Sequence, residues 1–400
     1  MFEATLNEKR ASLDKLQLVA ILSLMCVGAA FVYSATMAGL SSTSLSWIEQ
    51  TWVKQIVWYV IGIGAATTLC LVDYHTLSRW AFVAYWFTIF LLAAVLIFGT
   101  WRGGARRWFD LGFFSLQPSE FAKLAFILAQ ASFLSRPADE LRLPINFWKS
   151  IGLMVLPFLL ILKEPDLGSA LVFVPTGFAM MLVAGVPRKS LLRLIGVVGV
   201  LAALFLVDIL FAPPGWKIKL EDYQRDRLLV FFGQDFAPEN ATPQERALAR
   251  ERQMNKSLQS RQALISVGSG GLMGKGWRQG EQTALGFLPR GAAHTDFIFS
   301  VIAEEKGFVG SATVVALYAV LLFTGLRIAG QARDRLGKVL AAGVVTLLFS
   351  HIFINIGMNI RLMPVTGIPL PLLSYGGSSV LGSLIAIGIL QNVHLNRKGY

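Results

Sequence analysis

Asp296 stands at the seam of the stretch Leu288–Gly310, where a long polar, basic segment meets an apolar run. A carboxylate at the edge of a hydrocarbon layer can take a proton from an attacking hydroxyl. It can equally favour a helix start through the backbone dipole. On sequence alone the two readings weigh about the same. Ser300 and Glu304 follow Asp296 at i+4 and i+8, a spacing that predicts one polar face on a helix and a cavity beside it. Glu304, Glu305 and Lys306 fall inside the apolar run, where charge is costly and usually has a task.

Cations that would suit an anionic substrate lie elsewhere in the chain. Arg102, Arg106 and Arg107 crowd a short loop at 100–117, with Gly103 and Gly104 between them. Guanidinium forks match phosphate and pyrophosphate, and they also snorkel to lipid headgroups. Glu120 and Lys123, three apart after Gln117 and Pro118, predict an ion pair at a helix start. Asp166, in the turn Lys163–Gly168, either caps the next helix or lines a polar pocket. Gly268, Gly270, Gly271, Gly274 and Gly276 surround Lys275, but the spacing lacks the glycine and the hydroxyl residue of a phosphate-binding P-loop. That loop is expected to let backbone approach a bulky substrate, with Trp277 available to stack on a sugar. The segment 362–379, rich in Pro and Gly, predicts a rigid non-helical wall carrying Ser378 and Ser379 as donors.

The elements that must position these residues are transmembrane helices. Of 400 residues, 54% are hydrophobic and only 15% charged, against about a quarter charged in soluble proteins. The apolar residues gather into runs of about twenty, long enough to cross some 30 Å of hydrocarbon. Spans are expected near 16–37, 53–72, 77–99, 118–135, 148–163, 166–184, 190–211, 295–325, 338–360 and 375–394. This is an all-α polytopic membrane protein of about ten helices in one integral-membrane domain over 1–400. The first run is too long for a signal peptide, and Cys26 and Cys70 suggest neither a disulfide framework nor a metal site. Basic short loops at 136–149, 186–193 and 328–338 fall on one side with both ends, which predicts an N-in, C-in topology. The tails 1–15 and 395–400 are then cytoplasmic, and 212–294 is a large extracytoplasmic loop with a surface helix over its middle. The net charge of +12 is that of a positive-inside membrane protein and implies no nucleic acid.

Several of these stretches together resemble the SEDS family of shape, elongation, division and sporulation proteins. They are Arg106–Phe109 near Gln117–Lys123, Glu164–Gly168, Tyr223–Arg225, Gly270–Gly276, His294–Phe299 with Glu304 and Glu305, and Ser374–Ser379. They run in the family's order from about residue 100 to 380. The segments Asn355–Met358 and Pro364–Pro371 look more like the elongation members than the division members. Two places depart from the pattern: Arg290 and a longer link stand where an acid usually precedes the His-Thr-Asp triplet, and Lys306 replaces a leucine.

The resemblance implies a glycosyltransferase that polymerises lipid II into β-1,4 glycan at the outer face of the bacterial cytoplasmic membrane, as part of cell elongation. It implies Asp296 as general base, with Arg102, Arg106, Arg107, Lys123 and Lys275 as candidates to meet the pyrophosphate. Glu120, Asp166, Glu304, Ser378 and Ser379 would support them. A divalent cation, Mg or Mn, would share the leaving-group charge. The partners implied are a class B penicillin-binding transpeptidase and other membrane proteins of the elongation complex. A lipid II flippase or transporter, a non-catalytic scaffold and a division-type glycosyltransferase are the rivals; the absence of an evident internal repeat weighs against the transporter.

Overall fold

The computed structural model describes residues 12–37, 50–102, 105–110, 112, 114–211, 222–233 and 242–398. Gly103, Gly104 and the Pro213–Gly215 opening of the long loop lie outside the described residues, as do the side chains of Arg102, Tyr223, Arg225 and Arg290.

In chain order the first helices are α1 (Lys15–Met37), α2 (Thr51–Leu71), α3 (Tyr74–Arg79) and α4 (Ala81–Phe98). The strands β1 (Thr100–Arg102), β2 (Ala105–Asp110) and β3 (Ser115–Leu116) follow. Then come α5 (Pro118–Leu134), α6 (Ala138–Leu141), α7 (Pro144–Lys163), α8 (Leu167–Val183) and α9 (Arg188–Phe211). The long loop carries α10 (Asp222–Phe232), α11 (Pro243–Ser269), α12 (Glu281–Ala284) and α13 (Arg290–Ala293). The chain closes with α14 (Ile298–Gln331), α15 (Arg335–Asn359) and α16 (Gly377–Leu395).

The ten expected spans correspond to α1, α2, α4, α5, α7, α8, α9, α14, α15 and α16, with ends displaced by a few residues. Among the described residues, eight helices are long and apolar enough to cross a membrane. The other two, α5 and α8, are 17 residues each. Helices α5, α15 and α16 are buried over most of their length and form the centre, while α2, α4 and α9 turn apolar side chains outward. Exposed leucines, valines and phenylalanines on those outer faces suit lipid, since lipid tails are as apolar as the side chains.

The outer loop at 100–117 is more ordered than a connector: it is a small antiparallel sheet, order β1-β2-β3, so the fold is not purely helical. Thr100 pairs with Trp108 and Arg102 with Ala105, with a bulge after Thr100. The β-branched and aromatic residues of this loop favour such a ladder.

The surface helix expected in the long loop is present as α11 and runs on to Ser269. Its buried positions Ser257, Ser260, Ala263 and Ser266 recur every three residues, so small side chains let it lie close against the outer half of α14.

Span eight departs most from expectation. Helix α14 is broken at Gly307, whose φ of 63° and ψ of −156° leave the helical region. A break exposes carbonyls on one side and N–H groups on the other, and both need partners. The glycine-rich loop supplies them. Lys275 and Gly276 N–H donate to the carbonyls of Glu304 and Glu305, while Phe308 and Val309 N–H donate to Gly271 and Leu272. A Cβ at Gly274 would sit 2.2 Å from the Glu305 carbonyl oxygen, so glycine is required there. The close backbone approach seen in this loop is made to α14. Trp277 packs edge-on against Phe31 with ring centroids 5.4 Å apart, and Lys306 lies 5.5 Å over its face. That contact gives the unexpected Lys306 a partner.

Candidate active site

The site is assembled where the starts of α5 and α16 and the ends of α7 and α15 meet the seam before α14. Asp296 lies in the turn between α13 and α14, ahead of the helix. Phe297 is the N-cap residue, and its side chain makes no capping hydrogen bond. This takes Asp296 off the N-cap position but leaves it beside the positive end of the helix dipole. It also corrects the expected polar face: Asp296 is outside the helix, and Ser300 and Glu304 bond to different neighbours. Ser300 donates to Asn359 Oδ1 at 2.5 Å, and Glu304 accepts from Lys275 at 2.9 Å. The longer link that carries Arg290 is taken up by the single helical turn α13, which the Thr295 hydroxyl ties down by donating to the Gly291 carbonyl at 3.1 Å.

Asp296 is crowded by protein yet keeps part of its side chain exposed. Burial pushes its carboxyl up to about 6, against the pull of Arg227, of the Thr295 hydrogen bond and of Arg107, while Asp166 adds to the rise. The backbone of Gly367, at φ 77°, lies against the carboxylate; a Cβ there would be 3.6 Å from Asp296 Oδ2.

The expected rigid wall is the segment 361–376. Its carbonyls are satisfied by side chains from the surrounding helices, as non-helical backbone at membrane depth requires. Tyr59 donates to Leu372, Tyr318 to Pro371 and Gln55 to Ser374.

Beside the wall stands the turn Glu164–Gly168. Gly168 packs against Thr366 and Ile368, where a Cβ would come within 2.7 Å of Ile368 Cγ1. Asp166 does cap α8, accepting from Ser169 N–H at 3.1 Å, and its other oxygen accepts from Gln117 Nε2 at 3.3 Å. The capping role is the one the structure shows, and its charge also acts electrostatically on Asp296. Arg107 donates to the carbonyls of Glu164 and Pro165 and so fixes this turn to β2. Glu164 is fully buried, and among the described residues neither of its side-chain oxygens has a hydrogen-bond partner. Burial above all, and Asp166 next, push its carboxyl up to about 9, with Arg107 opposing.

The other candidates divide into those near this assembly and those committed elsewhere. Arg106 is exposed on β2, donates to the Ile97 carbonyl at 3.0 Å and lies 5.9 Å over Trp101. Arg102 ends β1 in the same sheet. Lys123 is 2% exposed and bonds to Glu120 at 2.8 Å and to His351 Nε2 at 2.9 Å. The pair with Glu120 is the one the sequence spacing implied, but it is buried in the bundle, which argues against Lys123 meeting a pyrophosphate. Lys275 is likewise bound, to Glu304 at 2.9 Å and Glu281 at 3.2 Å. It joins the loop to the broken helix. Ser378 accepts from Gln117 N–H and donates to the Ser115 carbonyl, joining α5, β3 and α16. Ser379 is buried in the first turn of α16.

Arg227, on α10, reaches Asp296 only through the fold of the long loop, and nothing in its local sequence marks it. Glu164 and Asn355 lie in stretches that carry the resemblance, and Asn359 one turn further on, but none had a role there, because their burial is a tertiary fact.

Comparison with known proteins places this architecture. Residues 15–399 match the family described as Cell cycle protein, FtsW, RodA and SpoVE. The chain is 35% identical to the peptidoglycan glycosyltransferase MrdB of Escherichia coli (strain K12), over 97% of this chain and 95% of that one. It is 32% identical to the peptidoglycan glycosyltransferase RodA of Treponema pallidum, over 95% and 97%. Stage V sporulation protein E of Bacillus subtilis is 35% identical over 97% and 98%. Among solved structures, a chain of a peptidoglycan synthase complex that coordinates polymerization and crosslinking superposes with a TM-score of 0.73 and 28% identity, over 97% of this chain and 99% of that one. The rod shape determining protein RodA of Thermus thermophilus gives 0.65 and 27%, over 96% and 98%. A match along nearly the whole chain, in sequence and in fold, makes this multi-pass membrane protein a member of the FtsW/RodA/SpoVE family, on its RodA-like side.

Proposed function

We propose that this protein, a RodA-like peptidoglycan glycosyltransferase, polymerises lipid II during cell elongation with Asp296 as general base. The reaction class is supported by the relatives named for it. One observation carries the base: a partly exposed carboxylate at the seam just ahead of α14, raised to about 6, with Arg227 and Arg107 in electrostatic range. A base works best when its pKa lies near the operating pH.

The acceptor sugar's 4-hydroxyl oxygen forms a bond to the anomeric carbon of the donor. Its proton passes to the Asp296 carboxylate. The bond from that carbon to the pyrophosphate breaks, and its electron pair leaves with undecaprenyl pyrophosphate. Attack opposite the leaving group inverts the α-linked donor to a β-1,4 glycan. Arg106, Arg107 and Arg227 supply the positive field for the departing charge, with Arg102 in the same sheet.

A divalent cation, Mg or Mn, would add to that field when bound. Among the described residues no three Asp, Glu, His or Cys side chains gather into a metal cage, so most of its ligands would be pyrophosphate oxygens and water. No step here runs through it. The enzyme works in the bacterial cytoplasmic membrane with both ends inside, beside a class B penicillin-binding transpeptidase and other elongation-complex proteins. Likeness to the synthase-complex chain supports that partner.

The pH dependence tests the base. For a carboxylate that must be ionised, kcat/KM for lipid II should fall tenfold per pH unit below about 6 and level off above it. A profile flat from about pH 5 to 8 would contradict the assignment.

A further inference from the structure

Asp296 is held less by its side chain than by its backbone. Three consecutive carbonyls at the seam each accept a hydrogen bond from a distant part of the chain. His294 accepts from Tyr375 N–H at 2.9 Å, and Thr295 accepts from the Ser374 hydroxyl at 2.5 Å. The Asp296 carbonyl accepts twice, from Asn355 Nδ2 at 3.0 Å and from Asn359 Nδ2 at 3.2 Å. Asn355 and Asn359 lie one turn apart on α15, and both are fully buried.

Each amide is itself aimed. Asn355 gives its second N–H to the Ile368 carbonyl at 2.7 Å, next to the Gly367 backbone that borders the carboxylate. Asn359 Oδ1 accepts from Ser300 at 2.5 Å, which turns its nitrogen toward Asp296. An unpaired amide at this depth would be costly, and these two are paired on both sides.

We propose that Asn355 and Asn359 are positioning residues for Asp296: their two amides grip its carbonyl and hold its carboxylate against the Gly367 wall in the geometry that proton transfer needs. The inference rests on the reading of Asp296 as general base. Misplacement of a catalytic group by about 1 Å can cost about 10²-fold in rate.

The test uses the purified full chain with its transpeptidase partner and lipid II. Asn355→Leu and Asn359→Leu keep the approximate volume and remove the donors. Each should lower kcat by about 10- to 100-fold while KM stays within about threefold. Asn359→Gln, which keeps an amide, should regain part of the loss, and Ser300→Ala, which only frees the Asn359 amide, should lower kcat several-fold. A purely structural role would lower the amount of folded protein and leave kcat per folded molecule unchanged, so activity is normalised to folded protein. Asp296→Asn in the same assay separates the two readings. If it is inactive and both leucine variants keep kcat within twofold, the positioning role is overturned and the base stands. If Asp296→Asn stays active, both fall. A raised KM with unchanged kcat would assign the asparagines to substrate binding and overturn the proposal. If the leucine variants do not fold, unchanged kcat in both Ser300→Ala and Asn359→Gln overturns it.

Discussion

Asp296 and Glu164 are two acids that burial lifts above the usual carboxylate range, and their surroundings set them apart. Asp296 is partly exposed and opposed by two arginines, so it settles at about 6 and can both hold and give up a proton near neutral pH. Glu164 is sealed, its oxygens have no hydrogen-bond partners among the described residues, and at about 9 it stays a neutral acid. A raised acid pKa means that the folded state binds more protons than the unfolded chain between about 4.5 and 9. The Glu164 contribution to stability is therefore fully present below the lower value and is lost as pH rises through the upper one. Glu164→Gln keeps the shape without the proton. Its melting temperature should gain on that of the original protein as pH rises from about 5 to 9, with little loss of polymerisation. A constant difference across that range would count against a neutral Glu164. At this scale the sequence made Asp296 legible because a lone acid in an apolar setting is conspicuous. It could not show that Lys123 and Lys275 are already paired by distant residues, His351 and Glu304, 228 and 29 positions away.

The broken α14 is the element on which the loop and the bundle meet. Its apolar run predicted one continuous span, since hydropathy is blind to backbone direction. The break at Gly307 left no mark in that run, and the glycines facing it were given to substrate approach. Their reason is backbone pairing across 271–276 and 304–309. Lys275 and the fully buried Glu304 seal this junction. Removing one partner of a buried pair leaves an uncompensated charge and costs roughly 3–5 kcal/mol, whereas removing both is nearly neutral. Lys275→Met should thus lower the melting temperature sharply, and Lys275→Met with Glu304→Gln should recover most of the loss. Additive losses in the double variant would show that the two do not act as a pair. The small sheet at 100–116 was missed for a simpler reason: short strands in a loop leave too few residues for an alternating pattern.

The whole molecule was the most legible level, because twenty-residue apolar runs have few other uses. Ten helices follow those runs, and the basic short loops predict an N-in, C-in orientation. That orientation is what puts Asp296 on the side where a lipid-linked sugar would be polymerised, so it is open to a direct check. In a background lacking Cys26 and Cys70, a cysteine at Gln259 should react with an impermeant reagent added outside intact spheroplasts. One at Lys189 should react only after permeabilisation. The reverse pattern would place the seam inside and end the proposal. The most direct measurement of the central claim is polymerisation of lipid II by Asp296→Asn, purified with its transpeptidase partner. Asparagine keeps the size and most of the polarity of the side chain but cannot act as a base at neutral pH. Glycan output per folded molecule should fall by roughly 10²-fold or more, with folding and partner binding intact; output within a fewfold of the original protein would contradict the account.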